Sequence, residues 1–241
     1  MNRVVVTGAN GSIGRALMAA LPDAQGIDID DWDVTEPRLN EIEKQPELVF
    51  HLAASKDAPE GETDPEKVLR VNALGTANVL ARWPSAKVIL ASTCKACDPE
   101  TAYGASKLIA ERMVLNAGGS VARFHNVIET SGNVFQTWRD TPEDQPIAYT
   151  DCVRYFIPIS AAVNLLLATS HLPAGRYLTY PAFPRHMSDM ARIYYPGRER
   201  VEIPRRRGDR IVEPLVADNE TYEAIYGWDG IYAVKNPNDP V

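Results

Sequence analysis

A chain of 241 residues that is 45% hydrophobic, 24% charged and 8% aromatic can bury a substantial core without disulfides or metals. Its net charge of −7 and pI near 5.2 argue against general nucleic-acid binding, and no apolar run approaches the ~20 residues that span a bilayer. Met1-Asn2-Arg3 runs straight into Val4-Val5-Val6, too short for a secretory apolar core, and three cysteines leave one unpaired, so a reduced, cytoplasmic setting is expected.

Short β-branched runs alternate with helical segments along the first half. Strands are expected over Arg3–Thr7, Ala24–Asp28, Leu48–Leu52, Lys87–Ser92 and Ser120–Phe124. Helices are expected over Ser12–Leu21, Pro37–Gln45, Pro65–Trp83 and Thr101–Asn116. This alternation implies βαβ units, hence an α/β fold with a doubly wound parallel sheet covered on both faces. Beyond residue 125 the rhythm changes. A helix over Pro158–Thr169, a strand over Arg176–Tyr180 and a short helix over Ser188–Tyr195 are expected, and prolines at 181, 184, 196, 204 and 214 favour short elements. Residues 1–125 therefore read as the main domain and 126–241 mainly as a small cap, with 158–180 returning to the core.

Thr7-Gly8-Ala9-Asn10-Gly11-Ser12-Ile13-Gly14 joins the first strand to the first helix. Glycines at this spacing tighten the turn, admit a pyrophosphate to the backbone and let the helix pack on the sheet, as in Rossmann-type domains. The helix N-terminus offers N–H groups and a positive dipole end to phosphate. Asp28 ends the second strand, 20 residues after Gly8, where a carboxylate accepts ribose hydroxyls and repels the extra phosphate of NADP. NAD is the expected cofactor. Asp30, Asp31 and Asp33 follow as a solvated turn, with Asp33 within reach of the adenine.

Ser92-Thr93-Cys94-Lys95 closes the fourth strand, and Tyr103 and Lys107 share a face of the next helix. A tyrosine near pKa 10 is a poor base at neutral pH, and an adjacent ammonium favours its phenolate. Lys107 can also bond the nicotinamide ribose.

With these residues the chain resembles the extended short-chain dehydrogenases/reductases, especially the polysaccharide-biosynthesis branch of nucleotide-sugar dehydratases and epimerases. Val5-Val6-Thr7-Gly8 through Gly14 is similar to the opening motif, Val49 through Lys56 to the third strand and its loop, and Val71 through Thr76 to the helix facing that loop. Ala91 through Lys107 resembles the Ser-Thr-Asp-Lys-Ala segment with its Tyr-x-x-x-Lys, and Arg123 through Val127 with Ser131-Gly132 the substrate-side loop. Arg154-Tyr155-Phe156 and Arg206 through Glu213 resemble the last two motifs. The resemblance implies a homodimer and a nucleotide-sugar substrate, UDP-sugars first. It implies cofactor contacts from Gly8, Asn10, Gly11, Ser12, Ile13, Gly14, Asp28, Asp33, Val34, Leu52, Ala53, Ala54, Asn72 and Lys107. Substrate contacts fall to Lys56, Asn126, Arg154 and Arg206, and catalysis to Tyr103, Lys107, Ser92, Thr93, Cys94 and Lys95. The expected course is oxidation of a hydroxyl at C4 by Tyr103 and NAD, with Ser92 or Thr93 bonding that oxygen. Lys95 is then the candidate base for epimerisation or elimination.

One departure is chemical: Cys94 stands where that branch has an acidic residue, the general acid of its dehydratases. Adjacent Lys95 is expected to lower the thiol pKa. Cys94-Lys95-Ala96-Cys97 lacks the context of a redox motif, and the scattered histidines do not complete a metal site, so no metal is expected. His51 and His125, at strand ends, read as packed or hydrogen-bonded. Six arginines between Arg198 and Arg210 form a basic segment, a solvated face from which Arg206 reaches a diphosphate. The alternatives are a sugar reductase or dehydrogenase with net redox, and a non-catalytic dinucleotide sensor.

Overall fold

The computed structural model describes residues 3–37, 45–179, 184–205 and 208–240. The chain begins β1 (Val4–Thr7), α1 (Ser12–Ala20), β2 (Gln25–Ile27) and β3 (Leu48–His51). There follow α2 (Ala58–Thr63), α3 (Pro65–Leu69), one π-helical turn (Arg70–Leu74), α4 (Gly75–Arg82), β4 (Lys87–Thr93), α5 (Ala102–Asn116) and β5 (Ser120–Phe124). The second half contains β6 (Asn126–Val127), α6 (Val134–Asp140), β7 (Ile147–Tyr149), β8 (Val153–Ile157), α7 (Ile159–His171) and β9 (Gly175–Thr179). It ends with β10 (Pro184–His186), α8 (Met187–Tyr194), β11 (Arg200–Glu202), β12 (Thr221–Ala224) and β13 (Ile231–Lys235).

The main sheet has eight strands in the order β12-β13-β9-β5-β4-β3-β1-β2. From β2 to β9 every pairing is parallel, whereas β13 and β12 add antiparallel at the far edge. Side chains alternate across a strand, and here both faces are covered, so consecutive apolar residues enter different cores. Val6, Phe50 and Ile89 pack with Leu17 of α1 and Leu165 and Leu166 of α7. Val5, Val49, Val88 and Leu90 pack on the other face with Val79 of α4 and Val114 of α5. This is the Rossmann-type sheet expected from the strand and helix rhythm.

Several local expectations change. The helix expected over 65–83 is interrupted by the π turn at Arg70–Leu74, which turns Asn72 inward. The Asn72 side chain then clamps the Ser55 backbone, accepting from its N–H and donating to its C=O at 2.9 Å each, and also donates to the Ser106 hydroxyl. A short helix unexpected from the sequence, α2, is capped by the Asp57 carboxylate accepting from the Glu60 N–H at 2.8 Å. The helix expected over 37–45 falls on residues 38–44, outside the described residues. Phe135, Trp138, Ile147, Met187 and Met190, all beyond residue 125, form a further core cluster. Beyond the 158–180 segment, β12 and β13 also return to the main sheet.

Behind the carboxyl end of β4 lies a buried charge network. Arg123 pairs with Glu111 and with Glu220 at 2.6 Å each, and Arg176 pairs with Glu111 at 2.8 Å and Asp239 at 2.7 Å. Arg123, Arg176, Glu111 and Glu220 are almost completely enclosed. The network joins α5, β5 and β9 to the C-terminal segment.

Candidate active site

Both predicted half-sites line one cleft of 1240 Å³. On one side the β1–α1 loop supplies Gly8, Gly11, Ser12, Ile13 and Gly14, with Asp28, Asp33 and Val34 beyond them and Leu52, Ala53 and Ala54 after β3. Gly8 has φ +71°, and a Cβ there would come within 2.6 Å of the Ala53 nitrogen, so only glycine closes this turn. No side chain caps the start of α1. Asp28 shapes the loop as well as facing the cleft: its carboxylate accepts from the Asn10 N–H at 2.7 Å and the Ile29 N–H at 2.9 Å. Asn10 therefore contributes through its backbone, and Asn72 stands behind the cleft as a brace. Asp33 is also tied locally, accepting from the Thr35 N–H at 2.9 Å.

At the centre, Tyr103 sits in the first turn of α5. Thr101 caps that helix, accepting from the Gly104 N–H at 3.1 Å. A Cβ on Gly104 would lie 2.2 Å from the Lys95 carbonyl oxygen, so glycine brings the Tyr103 turn against the end of β4. Burial raises the Tyr103 pKa, while the Lys95 ammonium and a hydrogen bond from Thr93 oppose that rise. Lys95 is thus the ammonium with the strongest pull on Tyr103. Lys107 is buried and its pKa is pushed down to about 8 by loss of solvent, against the pull of Glu111. His51 is a packed structural residue: its ring bonds Thr7 at 2.7 Å and Thr76 at 3.1 Å, and burial with Lys107 nearby holds its pKa near 3. His125 bonds the Thr179 carbonyl through Nε2 at 3.2 Å, and burial holds its pKa near 4.

Three expected roles change here. The Ser92 hydroxyl donates to Glu111 at 2.6 Å, so its one proton belongs to the buried network and Thr93 is the hydroxyl left to serve a substrate oxygen. Cys94 lines a separate cavity of 70 Å³ beneath the C-terminal segment and does not line the cleft. Its pKa is pushed up to about 12, by burial first and the Glu213 carboxylate next, so the expected acidifying effect of Lys95 is outweighed. Lys95 does line the cleft, but its ammonium is held by Glu213 at 2.8 Å, which raises its pKa against the burial that would lower it. Held in this pair, the amine is a poor candidate for the base.

Across the cleft, Lys56 donates to the Ser131 carbonyl at 2.6 Å, and the Ser12 hydroxyl accepts from the Ser131 N–H at 3.1 Å, joining the glycine loop to the segment after β6. Arg154 binds Glu213 through Nε at 3.1 Å and Asp209 through Nη2 at 3.6 Å. Its fork is therefore held by carboxylates and not left free for a diphosphate. Arg206 lies outside the described residues. Glu213 is the residue that sequence reasoning passed over. Its last-motif position was visible, but its partners come from the turn after β4, from β6 and from β8 and are remote in sequence. Among the described residues no group of three or more metal-ligating side chains occurs, and no helix is long and apolar enough to cross a membrane.

The polysaccharide biosynthesis protein family model matches residues 28–235. The chain belongs to that family. An uncharacterized membrane protein of Methanocaldococcus jannaschii is 27% identical over 91% of this chain and 81% of its own length. A UDP-N-acetylglucosamine 4,6-dehydratase (inverting) of Campylobacter jejuni is 26% identical over 82% of this chain, which spans 64% of that enzyme. The crystal structure of Pen from Bacillus thuringiensis superposes with a TM-score of 0.85 at 20% identity, over 98% of this chain and 88% of that one, and shows the same fold.

Proposed function

We propose that this protein is an NAD-dependent enzyme of the extended short-chain dehydrogenase/reductase type acting on a nucleotide-activated sugar, a UDP-sugar first. It oxidises a hydroxyl, at C4, and completes epimerisation or water loss with the cofactor recycled, in the synthesis of polysaccharide or glycan precursors. The reading includes a cytoplasmic homodimer. Leu69, Leu74 and Ile109 are exposed and offer apolar contacts for that pairing.

The carrying observation is that Tyr103, Thr93 and Lys107 line the same cleft as the uncapped α1 and the Gly8–Gly14 loop. The left-handed turn at Gly8, the free helix end and the Asp28 carboxylate suit the diphosphate and ribose of NAD, which when bound takes up and returns a hydride. Tyr103 removes the hydroxyl proton as phenolate. Thr93 orients the oxygen, and the cations of Lys95 and Lys107 lower the cost of the phenolate. The name of the Campylobacter relative, a dehydratase of a UDP-sugar, supports the substrate class and water loss.

One observation weighs against water loss and toward epimerisation or net redox. With Cys94 turned out of the cleft and Lys95 paired to Glu213, neither offers a free acid to a leaving hydroxyl.

Mass spectrometry of products from a panel of UDP-sugars with NAD tests the proposal. An isomer or a loss of water supports it, a stoichiometric keto sugar replaces recycling with net redox, and no change in any member overturns it. NADH absorbance separates recycling from net redox. NAD is expected to bind more tightly than NADP, and Asp28→Asn to weaken NAD by roughly 1.5–3 kcal/mol while narrowing the gap between them. Equal affinities of the native protein for both cofactors in calorimetry overturn the role given to Asp28.

A further inference from the structure

Glu213 gathers four side chains from three other parts of the chain. Its Oε1 meets Lys95 Nζ at 2.8 Å and Arg154 Nε at 3.1 Å. Its Oε2 accepts from Asn126 Nδ2 at 2.7 Å and stands 3.6 Å from the Cys94 sulfur. The Glu213 side chain is 6% exposed, yet Lys95 is 29% exposed on the cleft side. Asn126 closes the arrangement, its Oδ1 accepting from Lys95 at 3.2 Å. Thus Lys95 from the end of β4, Asn126 from β6 and Arg154 from β8 meet at one carboxylate supplied by the segment between β11 and β12. All four side chains gathered by Glu213 were expected to act in substrate binding or catalysis.

We infer that Glu213 is a positioning residue that assembles the substrate half of the cleft and keeps Lys95 a fixed cation beside Tyr103. A buried carboxylate survives only when paired, and here Lys95 and Arg154 both hold it ionised, so its pKa lies below the usual carboxylate range. The influence is mutual. Lys95 is faced by Glu213, Tyr103 and Cys94 and bonded to Asn126. Glu213 is faced by Lys95, Arg154, Asn126 and Cys94, with Asp209 behind Arg154 and the His125 ring nearby. Of these, Glu213 supplies the formal negative charge at contact distance from Lys95. Removing that charge leaves burial as the main influence on the amine, which lowers its pKa.

The chemical consequence is that Lys95 serves as a charge and not as a proton acceptor. A fixed ammonium near Tyr103 favours the phenolate and favours negative charge on a substrate oxygen in the cleft. The same carboxylate faces the Cys94 thiol and opposes its ionisation. The last motif therefore carries the charge that governs two consecutive residues at the end of β4.

The inference rests on the proposed function for the identity of the cleft's occupant, but its first test needs no substrate. The extent of amine modification of each lysine by acetic anhydride is followed against pH by peptide mass spectrometry in the native protein and in Glu213→Gln. Lys95 is expected to be among the last lysines modified in the native protein. In Glu213→Gln, modification at pH 9 should be about tenfold faster, the effect of roughly one unit of pKa. Lys67 and Lys235, on the surface, serve as internal references. Glu213→Asp keeps the charge and should restore most of the protection, which separates the charge from simple disruption. It also carries the test if Glu213→Gln does not fold.

On whichever UDP-sugar the panel shows to be turned over, Glu213→Gln should raise KM about tenfold while the NAD dissociation constant stays unchanged. Identical Lys95 profiles in the native protein and Glu213→Gln overturn the inference, as does equal protection loss in Glu213→Asp. A native protein that turns over no sugar but shows the Lys95 shift defeats the proposed activity and leaves the Glu213 role standing.

Discussion

Tyr103→Phe should reduce turnover by about 10²–10⁴-fold while NAD binding is retained, as expected for loss of a positioned acid–base group. The substitution keeps the ring that packs in the first turn of α5 and removes only the ionisable oxygen. The geometry makes the sign unambiguous. Tyr103 is buried, and burial disfavours its phenolate, so the phenolate depends on Lys95 and on the Thr93 hydrogen bond. A group whose environment so opposes ionisation is active only through those partners. Thr93→Val should therefore depress the rate in the same direction but by less, because the Lys95 charge remains. Steady-state rates on the UDP-sugar found active, with calorimetric NAD affinity as control, decide the matter. Undiminished turnover in Tyr103→Phe removes Tyr103 from catalysis and, with it, the proposed mechanism.

The core and the glycine loop were legible in the sequence because their signals are local. Val4-Val5-Val6 feeds both faces of the sheet in turn, and Gly8 must be glycine because its φ is +71°. Tyr103 and Lys107 share a helical face by simple periodicity. What escaped is decided by long-range pairing. No local pattern announces that the Ser92 hydroxyl is taken by Glu111, 19 residues on, or that Lys95 is held by Glu213 across 118 residues. Asn72 is buried within the π turn, between buried Val68 and Ala73, and a helical reading of 65–83 passes over that turn. Cys94 carries the clearest lesson. Its neighbour in sequence, Lys95, suggested a lowered pKa, but burial and the distant Glu213 reverse the direction. The strands β7, β8, β10 and β11 are three to five residues long and form small two- and three-stranded sheets, so neither length nor alternation distinguishes them from loop.

Arg123→Met should destabilise the protein by about 3–5 kcal/mol, the cost of removing one partner from a buried ion pair. Methionine fills much of the aliphatic volume, so the loss is chiefly electrostatic: Glu111 and Glu220, each 2.6 Å from the guanidinium, are left without their shared cation. Arg176 still reaches Glu111 at 2.8 Å and Glu220 at 3.4 Å, which keeps the penalty from doubling. For a chain of this size such a loss lowers Tm by about 6–20 °C. The pH dependence supplies an independent sign. Glu220 is held down to about 2 by Arg123 and the Ala217 N–H, against an ordinary carboxylate value of 4.5. A carboxylate with a depressed folded pKa contributes stability that is complete above 4.5 and lost as pH falls toward 2. The native protein should therefore lose stability steeply across that interval, and Arg123→Met should flatten the acid limb while lowering the neutral plateau. Adding Glu111→Gln should cost less in the Arg123→Met background than alone, because the unpaired charge it removes is then a liability. Urea unfolding of the four proteins at neutral pH and through the acid range measures each quantity. Arg123→Met within about 1 kcal/mol of the native protein, with an unchanged acid limb, would show that the network is energetically idle.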